Sequence, residues 1–369
     1  LARLVGRSEW IARRLAASPI TLDELVDPRQ AVPAGPARLA REFEAVVAVA
    51  SEPDRATERF REVNEAERLK IAAGFAEANL ASDEVECRLS VLAERAVRAA
   101  LALAAARMRE RHGELRHELL VLAYGKLGSR ELGFASDLDL VFVYETAETR
   151  AGGGLAAEVW LARLAQRTIS LLSLPTALGS LYTVDTRLRP EGSAGLLISR
   201  LTGWRRYQRE EAQLWERQAL LRAWPVAGST RLARVFRDER RRLLARRIEP
   251  TDLAREIVSM RARVAATGHP RTAEGAALLD GEFLAAWWLL DAAGDCPLAL
   301  GRRGFGAQLE TLSACGSSHA ARELAGALAV LRAEINLTAL GLAGHTRARD
   351  EARQWISRNW TAAATASPL

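Results

Sequence analysis

Two carboxylates one residue apart, Asp137 and Asp139, follow a glycine-rich stretch in the run Tyr124-Gly-Lys-Leu-Gly-Ser-Arg-Glu-Leu-Gly-Phe-Ala-Ser-Asp-Leu-Asp-Leu-Val-Phe-Val-Tyr144. Side chains two apart on an extended strand point the same way, so these two aspartates share one face while Leu138, Leu140 and Phe142 take the other. Carboxylates held that close repel each other unless a cation lies between them. Hard oxygen ligands of this kind suit Mg2+, which takes one or two protein carboxylates and fills its octahedron with water and substrate phosphates. Gly125, Gly128 and Ser129 remove side-chain bulk where backbone N–H groups can approach a phosphate chain. A helix beginning near Ser129 would aim its positive end at the same place. Lys126 is one of two lysines, with Lys70, among 52 basic residues that are otherwise arginines. It reads equally as a phosphate contact or as a turn residue.

The residue order excludes a P-loop, because Lys126 precedes the second glycine. A lone Asp-x-Asp is as readily a surface pair beside a tight turn. A Gly-Ser turn followed within a few residues by strand-borne Asp-x-Asp is more specific, being an arrangement that can hold a triphosphate and a metal together. Further along stand Gly179-Ser-Leu-Tyr-Thr-Val-Asp185-Thr-Arg187-Leu-Arg189-Pro-Glu-Gly-Ser-Ala-Gly195, then Tyr207 with Trp215-Glu-Arg-Gln-Ala-Leu220, then Val226-Ala-Gly228. Together these blocks resemble the glutamine synthetase adenylyltransferases, members of the polymerase-beta-like nucleotidyltransferase superfamily. The resemblance begins near residue 1, where Ser8 to Pro28 looks like the segment preceding a catalytic unit, and thins beyond about Met260.

The resemblance implies that Asp185 is the third carboxylate; read alone, one Asp in a Thr-rich strand is a surface residue. On a strand over Ser180 to Arg189, Thr183, Asp185 and Arg187 share a face. Arg187 and Arg189 then serve either phosphate oxygens or the aspartates themselves through their planar forks. What the resemblance implies is transfer of AMP from ATP to a tyrosine hydroxyl of glutamine synthetase. Asp137, Asp139 and Asp185 hold Mg2+, and Gly125, Lys126, Gly128, Ser129, Arg187 and Arg189 face the nucleotide. The family is typically bifunctional. Ala123-Tyr-Gly-Lys-Leu-Gly with Ser136-Asp-Leu-Asp looks more like its C-terminal, adenylylating half, while phosphorolytic removal of AMP stays open as the alternative. Control by the PII signalling protein belongs to the same expectation.

The elements that must position these residues are mostly helices. Glu118 to Tyr124 is a short, nearly continuous apolar run that suits a buried strand, and Asp137 to Glu145 is a second. Before them, Thr21-x-x-Glu24 ahead of Leu25 reads as a capping box. Ala37 to Ala50, Ala56 to Leu80 and Ser90 to Arg111 carry helical spacing, with Pro33 and Pro36 flanking a loop and Gly113 as a stop. After them come helices over Leu155 to Leu174, Trp204 to Trp224, Leu253 to Val264 and Leu278 to Leu290. The predicted fold is α+β and predominantly helical: a small mixed or antiparallel nucleotidyltransferase sheet between an N-terminal helical segment and a C-terminal helical bundle. The expected domains are 1–115, 116–225 and 226–369. In the last, Asp280, Glu282 and Phe283 keep part of a family signature whose paired glycines are missing, leaving regulator contact and packing both open.

Composition bounds the rest. At 369 residues and 49% hydrophobic, the chain suits two or three globular domains, and it has no apolar run long enough for a membrane span and no signal-peptide pattern. A cytoplasmic protein is expected, without membrane or nucleic-acid partners. The net charge of +6 raises a nucleic-acid-directed nucleotidyltransferase as a second class. The densest basic run, Arg231 to Arg247, is interrupted by Asp238 and Glu239 and carries no interleaved aromatics, so a solvated helix face is favoured. A non-catalytic regulatory remnant is a third class, opposed by the aspartate trio. Cys87, Cys296 and Cys315 lack metal-ligand spacing, and no disulfide is expected. The opening Leu suits a fragment of a longer protein.

Overall fold

In a computed structural model, residues 2–17, 25, 31–176, 179–189, 196–268, 270, 272–316 and 319–366 are described. The capping box at Thr21 to Glu24 and the stretch Pro190 to Gly195 lie outside them. The chain forms two compact units, Leu1–Tyr207 with Trp224–Phe236, and Gln208–Ala223 with Arg237–Leu369.

The first unit is a small mixed sheet with helices. Strand β1 (Glu118–Ala123) is a run of branched and linear apolar residues, and Val121, Leu122 and Ala123 are fully buried. It pairs antiparallel with β2 (Leu138–Glu145), from Glu118↔Glu145 to Ala123↔Leu140. The other edge of β2 is shared in tandem: β5 (Val184–Asp185) pairs parallel at its start, and β6 (Ile198–Arg200) pairs parallel at its end. β7 (Trp224–Gly228) closes the far side against β1, with a register shift between Val121 and Leu122. β3 (Pro175–Thr176) and β4 (Gly179–Ser180) form a separate antiparallel pair. The fold is therefore α+β and helix-dominated, as the sequence predicts.

The long helix Ser82–His112 places Asp83 and Glu84 in its first turn and Arg109, Arg111 and His112 in its last, complementing its dipole. It ends at Gly113, whose φ of 74° brings it against Gly152 and Gly153, where a Cβ would meet the Gly153 nitrogen at 2.5 Å. This helix packs on Ala157–Leu172, whose Trp160 is fully buried and donates from its indole N–H to the Gly113 carbonyl at 3.3 Å.

Three expectations need correction. The strand foreseen over Ser180 to Arg189 is broken, because Leu181 and Tyr182 turn inward to be buried and only Val184 and Asp185 join the sheet. The helix foreseen over Trp204 to Trp224 is two helices, Leu201–Glu210 and Leu214–Leu220, followed by β7. The break falls where Gln213 and Glu216 form a capping box that starts the second helix, and Pro225 is tolerated on a strand that pairs on one side. Cys296 and Cys315 form a disulfide, which spacing alone could not reveal.

The second unit is helical, with Ala273–Asp291, His319–Ala339 and Thr346–Ala366 packed on one another and Phe305–Ala314 against His319–Ala339. Arg240 is buried and donates to the carbonyls of Leu220, Leu221 and Leu300. Asp280 pairs with Arg261 and Glu282 with Arg222, while Phe283 is buried. Both ion pairs lie within this unit.

Candidate metal and nucleotide site

Asp139 lies on β2 opposite Asp185 on β5, in the parallel register Asp139↔Asp185, and Asp137 immediately precedes β2. One ligand oxygen from each of Asp137, Asp139 and Asp185 falls within 4.8 Å of the others; Asp137 is exposed and the other two half-buried. The Leu138 N–H donates to the Thr183 carbonyl at 2.8 Å, fixing the two strands where the carboxylates meet. A donor set made of carboxylate oxygens alone suits a hard divalent cation.

The glycine turn serves this cluster differently from the sequence expectation. Gly125–Ser129 is itself a single helical turn, so a helix ends rather than begins at Ser129. Gly125 has a φ of 54°, and a Cβ there would lie 2.3 Å from Asp139 Oδ2. The missing side chain makes room for the Asp139 carboxylate as well as for a left-handed backbone. The Tyr124 N–H donates to the Asp139 carbonyl at 2.9 Å, locking turn to strand. Ser129 and Gly128 are buried in the turn, and Lys126 is half-buried. Arg130, the left-handed residue that ends the turn, is held by a two-pronged hydrogen bond to Glu94, each arm 3.0 Å.

Arg187 lies in the turn after β5 and folds back onto Asp185. Its backbone N–H donates to Asp185 Oδ1 at 2.8 Å, and its Nε donates to Oδ2 at 2.8 Å. The Arg187 hydrogen bond holds the Asp185 carboxyl below the usual carboxylate range, partly opposed by desolvation. The guanidinium is 78% exposed while Asp185 is 16% exposed, so solvent screens this pair. Arg189 donates to the carbonyl and hydroxyl of Thr186, at 2.7 and 2.9 Å.

A buried network behind the cluster has no signal in the motifs. On the helix Pro53–Ala76, Arg68 is buried and donates to the carbonyls of Leu181 at 2.9 Å and Phe134 at 2.7 Å. Its guanidinium lies 5.6 Å from the Tyr182 ring centre, and the Tyr182 hydroxyl donates to Asn64 Oδ1 at 3.0 Å. Trp10 meets Phe134 edge to face at 5.5 Å. Burial lowers the Arg68 pKa and pushes the Tyr182 phenol up to about 12. A guanidinium buried with carbonyls as its hydrogen-bond partners loses hydration that costs several kcal/mol, which its charge-assisted hydrogen bonds, about 1.5–3 kcal/mol each, must offset.

Residues 1–239 match the family described as glutamate-ammonia ligase adenylyltransferase. Three relatives, each named bifunctional glutamine synthetase adenylyltransferase/adenylyl-removing enzyme, are similar to the chain. That from Xanthomonas campestris pv. campestris (strain B100) is 41% identical over 276 residues, covering 72% of this chain and 29% of the relative. That from Idiomarina loihiensis is 38% identical with the same coverage, and that from Thioalkalivibrio sulfidiphilus is 34% identical over 320 residues, 80% of this chain and 33% of its own. The chain thus spans about a third or less of the length of these relatives. With its glycine turn, its Asp-x-Asp strand and a family match over residues 1–239, the chain belongs to the glutamate-ammonia ligase adenylyltransferase family.

Proposed function

We propose that this chain is a nucleotidyltransferase that moves AMP from ATP to a tyrosine hydroxyl of glutamine synthetase. The observation that carries the reading is the meeting of Asp137, Asp139 and Asp185 within 4.8 Å beside a glycine turn, in a chain of this family. The names of the relatives supply the protein substrate and also the reverse activity. The tyrosine oxygen forms a bond to the α-phosphorus, the α–β phosphoanhydride bond breaks, pyrophosphate departs, and the hydroxyl proton goes to solvent.

The three carboxylates fit Mg2+ and would hold it. Bound there, Mg2+ supplies neutralisation of the phosphate charge and activation of the hydroxyl. The chain's own residues orient the reactants. Gly125 and Gly128 leave the turn narrow enough for a triphosphate to approach, and Lys126 and Ser129 belong to the same turn. Arg187, exposed and paired to Asp185, is free to exchange that carboxylate for phosphate oxygens, with Arg189 two residues on. Positioning and electrostatics carry such a step, without a covalent enzyme intermediate. The PII signalling protein is the accompanying regulator in this reading, which is a cytoplasmic one.

The test is intact mass of glutamine synthetase incubated with this protein, ATP and Mg2+, with Asp137→Asn as control. A gain of one AMP per subunit, absent in the control, is expected. Phosphate-dependent loss of AMP from pre-adenylylated synthetase, with no gain in the forward direction, would make this the removing activity that the relatives' names include. Tight, salt-sensitive binding of RNA in a gel shift would favour a nucleic-acid substrate instead.

A further inference from the structure

We propose that Arg68 is a positioning residue that fixes the spacing of Asp137, Asp139 and Asp185 by cross-linking the two backbone segments that lead into them. The inference rests on the metal reading of that site. Asp185 is held to Asp139 by a strand of two residues, Val184 and Asp185, which is too short to define its own place. What precedes each carboxylate is irregular chain. Phe134, three residues before Asp137, and Leu181, four residues before Asp185, each offer a carbonyl to the same guanidinium, at 2.7 and 2.9 Å. These carbonyls are otherwise remote in sequence from Arg68, by 66 and 113 residues.

The planar fork is suited to the task, because its two terminal nitrogens diverge at a fixed angle and reach two acceptors at once. A lysine carries the same charge on one centre and cannot span both carbonyls with that geometry. The rest of the pocket braces the fork. Tyr182 lies against the guanidinium and is tied through its hydroxyl to Asn64, one turn back on the same helix. Phe134 is held edge to face by Trp10. Arg68 is buried and its hydrogen bonds go to main-chain carbonyls, so its influence passes through the backbone. Residues that act behind metal ligands in this way typically alter metal affinity by roughly 10–100-fold when replaced.

The test uses Mn2+ alone as the probe, with free ion counted by electron paramagnetic resonance during titration of the full chain. Asp137→Asn reports on the metal site itself, and Arg68→Lys, Arg68→Gln and Tyr182→Phe on the network behind it. Thermal melting is recorded for each. Expected is Mn2+ binding by the parent, its loss in Asp137→Asn, and affinity weakened on the order of 10-fold or more in folded Arg68→Lys and Arg68→Gln. Tyr182→Phe, which deletes a single hydroxyl and leaves the core filled, should weaken it by a smaller factor and decides the matter if neither Arg68 variant folds. Variants that melt at lower temperature yet bind Mn2+ like the parent would overturn the proposal, leaving Arg68 a stability residue. A parent that binds no Mn2+ would overturn the metal reading and this inference with it.

Discussion

Gly125 shows how single atoms decide this site. Its φ of 54° and the 2.3 Å separation that a Cβ would have from Asp139 Oδ2 make alanine unacceptable on two grounds. Gly125→Ala should destabilise the fold by about 1–3 kcal/mol, measured by urea denaturation, and displace Asp139 enough to weaken Mn2+ binding. Tyr182 gives a pH signature. Its phenol is raised from 10.0 to about 12 because burial disfavours the phenolate. The neutral ring's contribution is fully present below pH 10 and is lost as pH rises through 12. Of the four tyrosines, Tyr182 should ionise late in an ultraviolet titration, and Tyr182→Phe should remove the part of the stability loss that falls between pH 10 and about 12. The aspartates were legible from type and spacing, since period-two geometry puts Asp137 and Asp139 on one side. Arg68 was not, because a lone arginine in a helix gives no hint that its partners lie 66 and 113 residues away.

Among the elements, the sheet depends on one contact that no propensity shows. Gly228, at the end of β7, has a φ of 97°, and a Cβ there would sit 2.0 Å from the Leu119 carbonyl oxygen. The obstacle is backbone, so no side-chain rotation relieves it. Gly228→Ala should cost on the order of 3 kcal/mol or more and loosen β1, read as faster amide exchange at Leu120 to Leu122. The same end of the sheet is tied by Arg231, which reaches both Glu118 and Glu145 across the β1–β2 pair. An arginine expected on a solvated face thus joins two strands. Helices were legible where apolar spacing and stop signals agreed, as at Gly113. The short strands were not, because β5 has two residues and β6 three, below the length at which periodicity carries information, and the helix foreseen over Trp204 to Trp224 failed at the capping box of Gln213 and Glu216.

On the scale of the whole molecule, each unit holds a buried arginine that donates to carbonyls from separate segments, Arg68 in the first and Arg240 in the second. The second unit adds the Cys296–Cys315 disulfide, which closes a 19-residue separation that contains the helices Pro297–Gly301 and Phe305–Ala314. Closing a loop of that size removes unfolded-state entropy worth about 3 kcal/mol in the chain-entropy model. Reduction, or Cys315→Ser, should therefore lower the melting temperature of a second-unit transition by on the order of 10 °C in calorimetry. A bond of this kind is uncommon in a reducing cytosol, so its redox state in the cell is measurable by alkylation and mass spectrometry. By itself the sequence determined the helix-dominated α+β class, the glycine turn and the face shared by Asp137 and Asp139, because each follows from local period and residue type. Only the tertiary structure decided that Asp185 meets them, that Arg187 turns back onto it, that Arg68 spans the two approaches, and that Cys296 finds Cys315. These are contacts between segments whose separation along the chain is set by the packing of everything between them.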